Sequence, residues 1–516
     1  MLFNSWEFLY LLAITFAFYY APWSCGRHGK AWQVTVALVA SVVFYGWEDP
    51  KLIGLLAISC VGNSIATGRI IQHKVAGDDA LVKRWTRHAV IMNLALLAIF
   101  KYLPFMIGMV PFLPPNWVDA VKAIPLPIGI SFYTFHGISM IVDVSRGEVT
   151  REGDALVSKG SKSGRFAKGV RDIGFYLLFF PQLIAGPIVK AKEFWPQIGA
   201  KRFDAIPWQL VIRTLITGYF LKIFVADNLA EQTTSLTLDP NNLSGSSPLN
   251  LIPLLYCYSL QIFADFAGYS LIAIGLACLF GYRFPTNFNF PYISTSITEF
   301  WKRWHMSLSA WLRDYLYIPL GGNRKGPGRT YFNLFLVMFL GGLWHGAEWK
   351  FALWGSLHGL FLALERFTSG SKFWILNYKF WMKEPVGGAE AISSSAFNIQ
   401  NPAFKIAVTG VKWFVTFHLV TALWLTFLMP DMNHIVCFFK GVFSGKTGFS
   451  GPPLFSLVFY GSAVVLYHFW GWLKEHREHL ASHLARSPLE PVLHGLMLFL
   501  IFTNPGAPRG FIYFQF

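Results

Sequence analysis

The sequence is short of charge and of cysteine. Only 14% of its 516 residues are charged, against about 25% in an average soluble protein. The five cysteines, Cys25, Cys60, Cys257, Cys278 and Cys437, are scattered and show no CxxC or Cys/His spacing. That pattern excludes a disulfide framework and a zinc site, and no other metal site is expected. Acidic residues are scarce as well: 27 Asp and Glu face 43 Lys and Arg, for a net charge of +16. The GxSxG elbow, the HExxH pair and the Rossmann fingerprint are all missing, so soluble-type hydrolase and dehydrogenase chemistry has no support. Fixed-period repeats and low-complexity tracts are missing too.

What remains is apolar. Hydrophobic residues make up 54% of the chain, and the mean hydropathy is +0.44. Apolar segments run near 5–23, 31–47, 52–68, 89–113, 125–143, 171–189, 207–226, 250–281, 330–346, 350–366, 406–429, 454–473 and 489–504. Many approach the roughly 20 residues that an α-helix needs to cross a bilayer. The expected fold is all-α and polytopic, an integral membrane protein with a single domain over 1–516. The excess of Lys and Arg then follows from their gathering in cytoplasmic loops, and no nucleic-acid partner is expected. The first segment lacks the basic start and cleavage site of a secretory signal and is expected to stay as the first transmembrane helix.

Loop charge predicts an orientation. Arg69, Lys74, Lys83, Arg84 and Arg87 crowd one loop, and Arg146, Arg151, Lys159, Lys162, Arg165, Lys168 and Arg171 crowd another. Both are expected in the cytoplasm. The stretch 227–248 carries Asp227, Glu231 and Asp239 with no Lys or Arg and is expected as a loop on the opposite face. Counting back puts the N-terminus outside. Segment 171–189 is interrupted by Pro181, Gly186 and Pro187. Reading it as re-entrant keeps Lys190, Lys192, Lys201 and Arg202 cytoplasmic and brings Arg283 to Arg329 to the same side. The stretch 383–402 reads as a polar loop, and 474–486 as a basic surface helix.

The chemistry-bearing residues concentrate between 294 and 349. Ser296 followed by Glu299 matches a capping box. From there Ile297, Phe300, Trp301, Trp304, Leu308, Trp311, Leu312 and Tyr315 recur at helical spacing, with Lys302, Arg303, Ser309, Arg313 and Asp314 on the other side. The pattern predicts one amphipathic helix in the membrane interface, anchored by Trp301, Trp304 and Trp311. His305 falls beside the apolar stripe. It is either an interfacial, hydrogen-bonded histidine or one turned inward.

The next stretch, PLGGNRKGPGRT, joins glycines to Asn323, Arg324, Lys325 and Arg329. Freed backbone N–H groups and basic side chains suit a phosphate-bearing donor, although Pro327 stands where a P-loop has Lys-Ser/Thr, and a plain basic turn entering the next helix fits better. Beyond it, the run ending GGLWHGAEW carries His345. An imidazole withdrawn from water favours its neutral, basic form and can take a proton from an attacking hydroxyl. Ionisable groups at membrane depth are costly and mark functional sites by default; a packing histidine is the alternative. Gly341, Gly342 and Gly346 remove side-chain bulk and are expected to let another backbone or a ligand, such as the substrate, approach closely. Asp265, in FADFAG, must find a partner among its aromatic neighbours. His136, Asp143, His358, His418, His468 and His494 are expected to be packing or interfacial residues.

FWKRWHMSLSAWLRDYLYIPLGGNR, followed by GLWHG, resembles the membrane-bound O-acyltransferase family, in its alginate O-acetyltransferase branch. LPIGISFYTFHGISMIVDV, FFPQLIAGPIV, SLQIFADFAGYSLIAIGLA, GYRFPTNFNFPY and the terminal FIYFQF extend the likeness over most of the chain. The resemblance implies a ring of tilted transmembrane helices with interfacial helices and a central tunnel. It implies O-acetyl transfer from a cytoplasmic donor, acetyl-CoA, to an extracytoplasmic polysaccharide such as alginate, through a periplasmic partner of the SGNH type. His345 of WHG corresponds to the catalytic histidine, and His305 of RWHMSLS to the second tunnel histidine. Trp344, Tyr315, Arg313, Asp314, Asn323 and Asp265 are candidates to line the tunnel, and Arg324, Lys325 and Arg329 to hold donor phosphate. No tightly bound cofactor is expected. The implied location is the bacterial inner membrane, among lipid, with the N-terminus periplasmic. D-alanyl transfer to teichoic acid, acylation of a lipid, a protein, cellulose or peptidoglycan, and a transporter built from broken helices are the alternatives.

Overall fold

The computed structural model describes residues 1–22, 28–110, 112–149, 162–183, 186–237, 239–370 and 402–512. Cys25, the polar loop over 383–401, most of the terminal FIYFQF and the Arg151 and Lys159 positions lie outside them. Among the described residues the regular structure is helical, and no strand occurs, as the apolar periodicity predicts. Helices long and apolar enough to cross a membrane are Leu52–Val75, Asp79–Ile107, Trp208–Thr237, Pro248–Leu279, Phe404–Leu428 and Gly451–His476. A further candidate is the pair Glu478–Ala485 and Leu489–Thr503, bent by 69°. The first apolar segment forms a helix of 14 residues, Trp6–Tyr19. At 1.5 Å per residue it reaches about 21 Å, short of the roughly 30 Å hydrocarbon core.

The chain groups into two compact units. The first comprises Met1–Asn228, Ile262–Asn287 and Pro491–Phe516. There, helix Lys162–Leu178 gives way to the short turn Phe180–Leu183, so the proline-broken segment is indeed broken. Two polar clusters inside this unit are matched to partners. Asn63 and Asn93 exchange amide hydrogen bonds of 3.2 and 2.9 Å between neighbouring helices. Lys222 lies 2.7 Å from both Asp227 and Asp265. Asp227 is only 2% exposed, and the stretch beyond it forms helical turns over Asp227–Thr233, Thr234–Thr237 and Pro240–Gly245. The expected acidic loop is therefore corrected: Asp227 neutralises a buried lysine and is not a loop charge.

The second unit comprises Leu229–Gln261 and Phe288–Glu490. Its centre is the helix pair Pro327–His345 and Trp349–Gly370. Their crossing is set by Gly342 and Gly355. A Cβ on Gly342 would stand 2.3 Å from the Phe351 carbonyl oxygen and 2.9 Å from the Gly355 Cα. A Cβ on Gly355 would meet the Met338 carbonyl oxygen at 2.3 Å. Only glycine at both positions lets the two backbones come this close.

Candidate active site

The expected amphipathic helix begins where the capping box predicts. Ser296 Oγ accepts the Glu299 N–H at 3.0 Å, and the Glu299 carboxylate accepts the Thr295 N–H at 2.9 Å. Burial disfavours charge on Glu299, but the Thr295 N–H and Arg303 together hold its carboxyl below the usual range. The helix then stops at Arg303. Trp304 is extended, and His305 adopts φ 43° and ψ 53°, a left-handed conformation uncommon for residues other than glycine. A second helix, Met306–Leu312, starts anew, with the His305 carbonyl accepting the Ser309 N–H at 3.0 Å.

The single continuous helix is thus corrected to two, hinged at His305. Arg303 fixes the hinge on one side, forking onto Glu475 at 2.5 and 2.9 Å and onto Glu299 at 3.0 and 2.8 Å. The tryptophan anchors are corrected too. Trp304 and Trp311 are 1% and 5% exposed, inside the unit rather than at its lipid face.

The break turns His305 toward the end of the next long helix. His345 is the last residue of Pro327–His345, where Gly346 leaves the helix with extended backbone. The two imidazole rings lie 6.4 Å apart, and the Trp344 indole is 6.2 Å from His305 and 5.1 Å from His345. His345 is boxed by aromatic edges: Trp354 stands 5.3 Å away at 89° and Phe427 5.5 Å away at 73°. All of these residues are buried. Such a box shields the imidazole from water, and His345 also lines a cavity.

That cavity, about 260 Å³, is lined by Trp301, Leu308, Leu312, Leu334, Val337, Met338, Gly341 and Trp354, with Ser309, Arg313, Tyr317 and His345 as its polar groups. Leu334, Val337, Met338, Gly341 and His345 follow one another up a single helix face. The lining runs from Leu334 to His345, about 16 Å of helix. Its lower end lies a turn beyond the basic glycine turn, where Gly321 and Gly322 take φ 107° and 55°. Asn333 Nδ2 donates to the Gly322 carbonyl at 2.9 Å and pins the turn to the helix.

Of the residues singled out in the sequence, the structure brings His305, His345 and Trp344 together, and Arg313 lines the cavity. Asp314 accepts from Arg313 Nε at 2.7 Å. Tyr315 packs on Trp311 with ring centroids 5.1 Å apart; Tyr317, two positions on, faces the cavity instead. Asn323, Arg324, Lys325 and Arg329 are exposed on the turn, where Arg329 lies 5.1 Å over the Phe332 ring. Asp265 belongs to the first unit, paired to Lys222. Of the glycines, Gly341 lines the cavity, whereas a Cβ on Gly346 would collide with Phe351 at 2.1 Å. Gly342 and Gly346 serve packing, not ligand space.

Sequence reading missed Trp354, Phe427 and Tyr317. The only signal for Trp354 was its place one turn before His358 on an apolar helix. Glu348, three residues after His345, places its carboxylate 3.5 Å from Lys350.

Comparison with known proteins adds to this geometry. The sequence model of the membrane-bound O-acyltransferase family matches residues 172–404, a span that includes both histidines and the cavity between their helices. The chain is 35% identical over 458 residues to "Probable alginate O-acetylase AlgI" of Pseudomonas aeruginosa, covering 87% of this chain and 76% of that one. It is 38% identical over 377 residues to the protein of the same name in Pseudomonas putida, covering 71% of each. It is 30% identical over 466 residues to "Peptidoglycan O-acetyltransferase" of Helicobacter pylori, covering 86% and 80%. A multi-pass helical chain with two buried histidines 6.4 Å apart, one of them lining a cavity, matched in this way over most of its length, is an acyltransferase and belongs to the membrane-bound O-acyltransferase family.

Proposed function

We propose that this protein is an inner-membrane O-acetyltransferase that supplies acetyl groups for a polysaccharide outside the cytoplasm, with alginate the first acceptor to test. The observation that carries the reading is the cavity that runs from Leu334, a turn beyond the basic glycine turn, to His345 along one helix face. The acyl-bearing arm of a long thin thioester such as acetyl-CoA would enter this cavity, its acyl end among Trp301, Trp354 and Gly341, while its phosphates stay outside on the exposed turn that carries Arg324, Lys325 and Arg329. Identity to the alginate O-acetylases supports the polymer.

In the reaction, an acceptor hydroxyl oxygen attacks the thioester carbonyl carbon while His345 takes the hydroxyl proton. The carbon–sulfur bond breaks as the tetrahedral intermediate collapses, and the proton passes from the imidazole to the leaving thiolate. His305 orients the attacking group or relays that proton. Trp344, whose indole ring lies beside both imidazoles, is the candidate donor to the developing oxyanion. The acceptor hydroxyl belongs to the polymer or to a serine of a periplasmic SGNH-type partner. Loop charge supports a periplasmic N-terminus.

The test is a strain in which His345→Ala replaces the native protein. At normal membrane abundance, ester-linked acetyl on the exported polymer should fall to the level of a deletion strain. Acetylation retained at the native level would remove His345 from the chemistry. Identity to a peptidoglycan O-acetyltransferase supports peptidoglycan as a second acceptor, so the deletion strain should be assayed for acetyl on both polymers.

A further inference from the structure

His358 lies one helical turn after Trp354 on Trp349–Gly370 and is fully buried. It sits among Trp354, Trp301 and Phe300, with ring centroids at 4.7, 5.1 and 6.3 Å. Its Nδ1 accepts a hydrogen bond of 3.2 Å from the Trp301 indole N–H. An indole N–H is a donor only, and a charged imidazole has no acceptor, so the bond requires neutral His358 with its proton on Nε2. That Nε2 is buried and has no hydrogen-bond partner among the described residues. A phenylalanine would fill this volume without burying an unmatched donor. What the histidine adds is the acceptor.

The partner it holds is part of the cavity. Trp301 and Trp354 both line the wall that reaches His345, whereas His358 does not. With its N–H drawn toward His358, Trp301 presents its apolar ring to the cavity and cannot swing its donor inward. The helices concerned are docked by other means as well. The Glu365 carboxylate accepts the Thr298 N–H at 3.0 Å, and Trp301 packs edge-on against Trp354. The Trp301–His358 bond therefore sets a side-chain orientation rather than the helix packing.

We infer that His358 is a positioning residue: through the Trp301 N–H it locks the indole as an apolar wall that holds the acyl group in register with His345. The inference rests on the reading of His345 as the general base. A misplacement of about 1 Å at a reacting centre costs on the order of a hundredfold in rate, which is the scale on which the lock acts.

The test compares His358→Phe, which keeps the ring volume without an acceptor, with His358→Asn, whose side-chain oxygen can stand where Nδ1 does. The readout is the rate at which ester-linked acetyl appears on the exported polymer, per amount of full-length protein in the membrane. Expected is a loss of about tenfold or more for His358→Phe and recovery to near the native rate for His358→Asn. Equal losses in both variants would mean packing alone, and a native rate in His358→Phe would overturn the inference outright. Should His358→Phe not accumulate, Trp301→Phe removes the donor from the other side, and a native rate there overturns it equally. His345→Ala is run in parallel. If it is inactive while His358→Phe matches the native protein, only this inference fails; if it is active, the functional reading fails and takes the inference with it.

Discussion

The Trp354 indole stands edge-on to the His345 imidazole, 5.3 Å away and at 89°. Such a contact fixes the plane of the histidine as well as its position. Edge-to-face ring pairs contribute about 0.5–1.5 kcal/mol beyond their buried area, and 1.4 kcal/mol corresponds to about a tenfold change. Trp354→Leu is therefore expected to slow acetyl transfer by up to about tenfold in protein that still reaches the membrane. Trp354→Ala, which empties a buried tryptophan site, should lower stability by about 3–5 kcal/mol. Acetyl-ester content against membrane abundance separates the two outcomes.

Gly341 and Gly342 are adjacent yet make opposite predictions. A Cβ on Gly341 meets only the tip of Leu312, at 3.3 Å, so Gly341→Ala should fold normally and narrow the cavity, slowing transfer. A Cβ on Gly342 meets backbone at 2.3 Å, which cannot yield without moving a helix. Gly342→Ala should lose about 1–3 kcal/mol or more. Thermal aggregation of the detergent-solubilised protein gives the stability difference, and equal melting of both variants would contradict the crossing described above.

Why the sequence revealed some of this and hid the rest is physical. The burial of His345 beside a cavity was legible because an ionisable group in an apolar run is costly and normally faces the interior. The Ser296 cap was legible because it depends on residues three apart. The stop at Trp304 was not, because FWKRWHMSLSAWL keeps a helical period straight through it, and a left-handed histidine carries no local signature. The tryptophans were misread for a related reason: a bilayer interface and an aromatic core select the same side chain. Glycine was ambiguous in the same way, since space for a ligand and contact between backbones both require a missing Cβ. Asp227 misled the loop-charge argument because its partner, Lys222, lies five positions away on the preceding helical segment.

That partnership yields a test of its own. Lys222 and Asp265 are buried at 2.7 Å, and Asp227 lies equally close to the lysine. The Asp265 carboxylate also accepts the Ile512 N–H at 2.8 Å. Lys222→Met leaves two carboxylates without their cation, which for a buried pair costs about 3–5 kcal/mol. The variant should fail to accumulate. Adding Asp265→Asn should recover part of the loss, because it removes one of the stranded charges. Full accumulation of Lys222→Met would free Asp265 for a direct role in the reaction.

His305 combines two demands that substitution can separate. Its backbone is held at φ 43°, and its ring lies 6.4 Å from His345. A left-handed residue costs roughly 1–2 kcal/mol unless it is glycine or, more cheaply than most, asparagine. His305→Asn should therefore fold as well as the native protein, whereas His305→Val should lose stability because a β-branched side chain resists that conformation. If the imidazole orients the acceptor or relays its proton, His305→Asn should still lose at least about tenfold in acetyl transfer at unchanged melting temperature. Native activity in His305→Asn would instead assign the residue to the shape of the chain: a hinge that brings the second helix beneath His345, with no part in the chemistry.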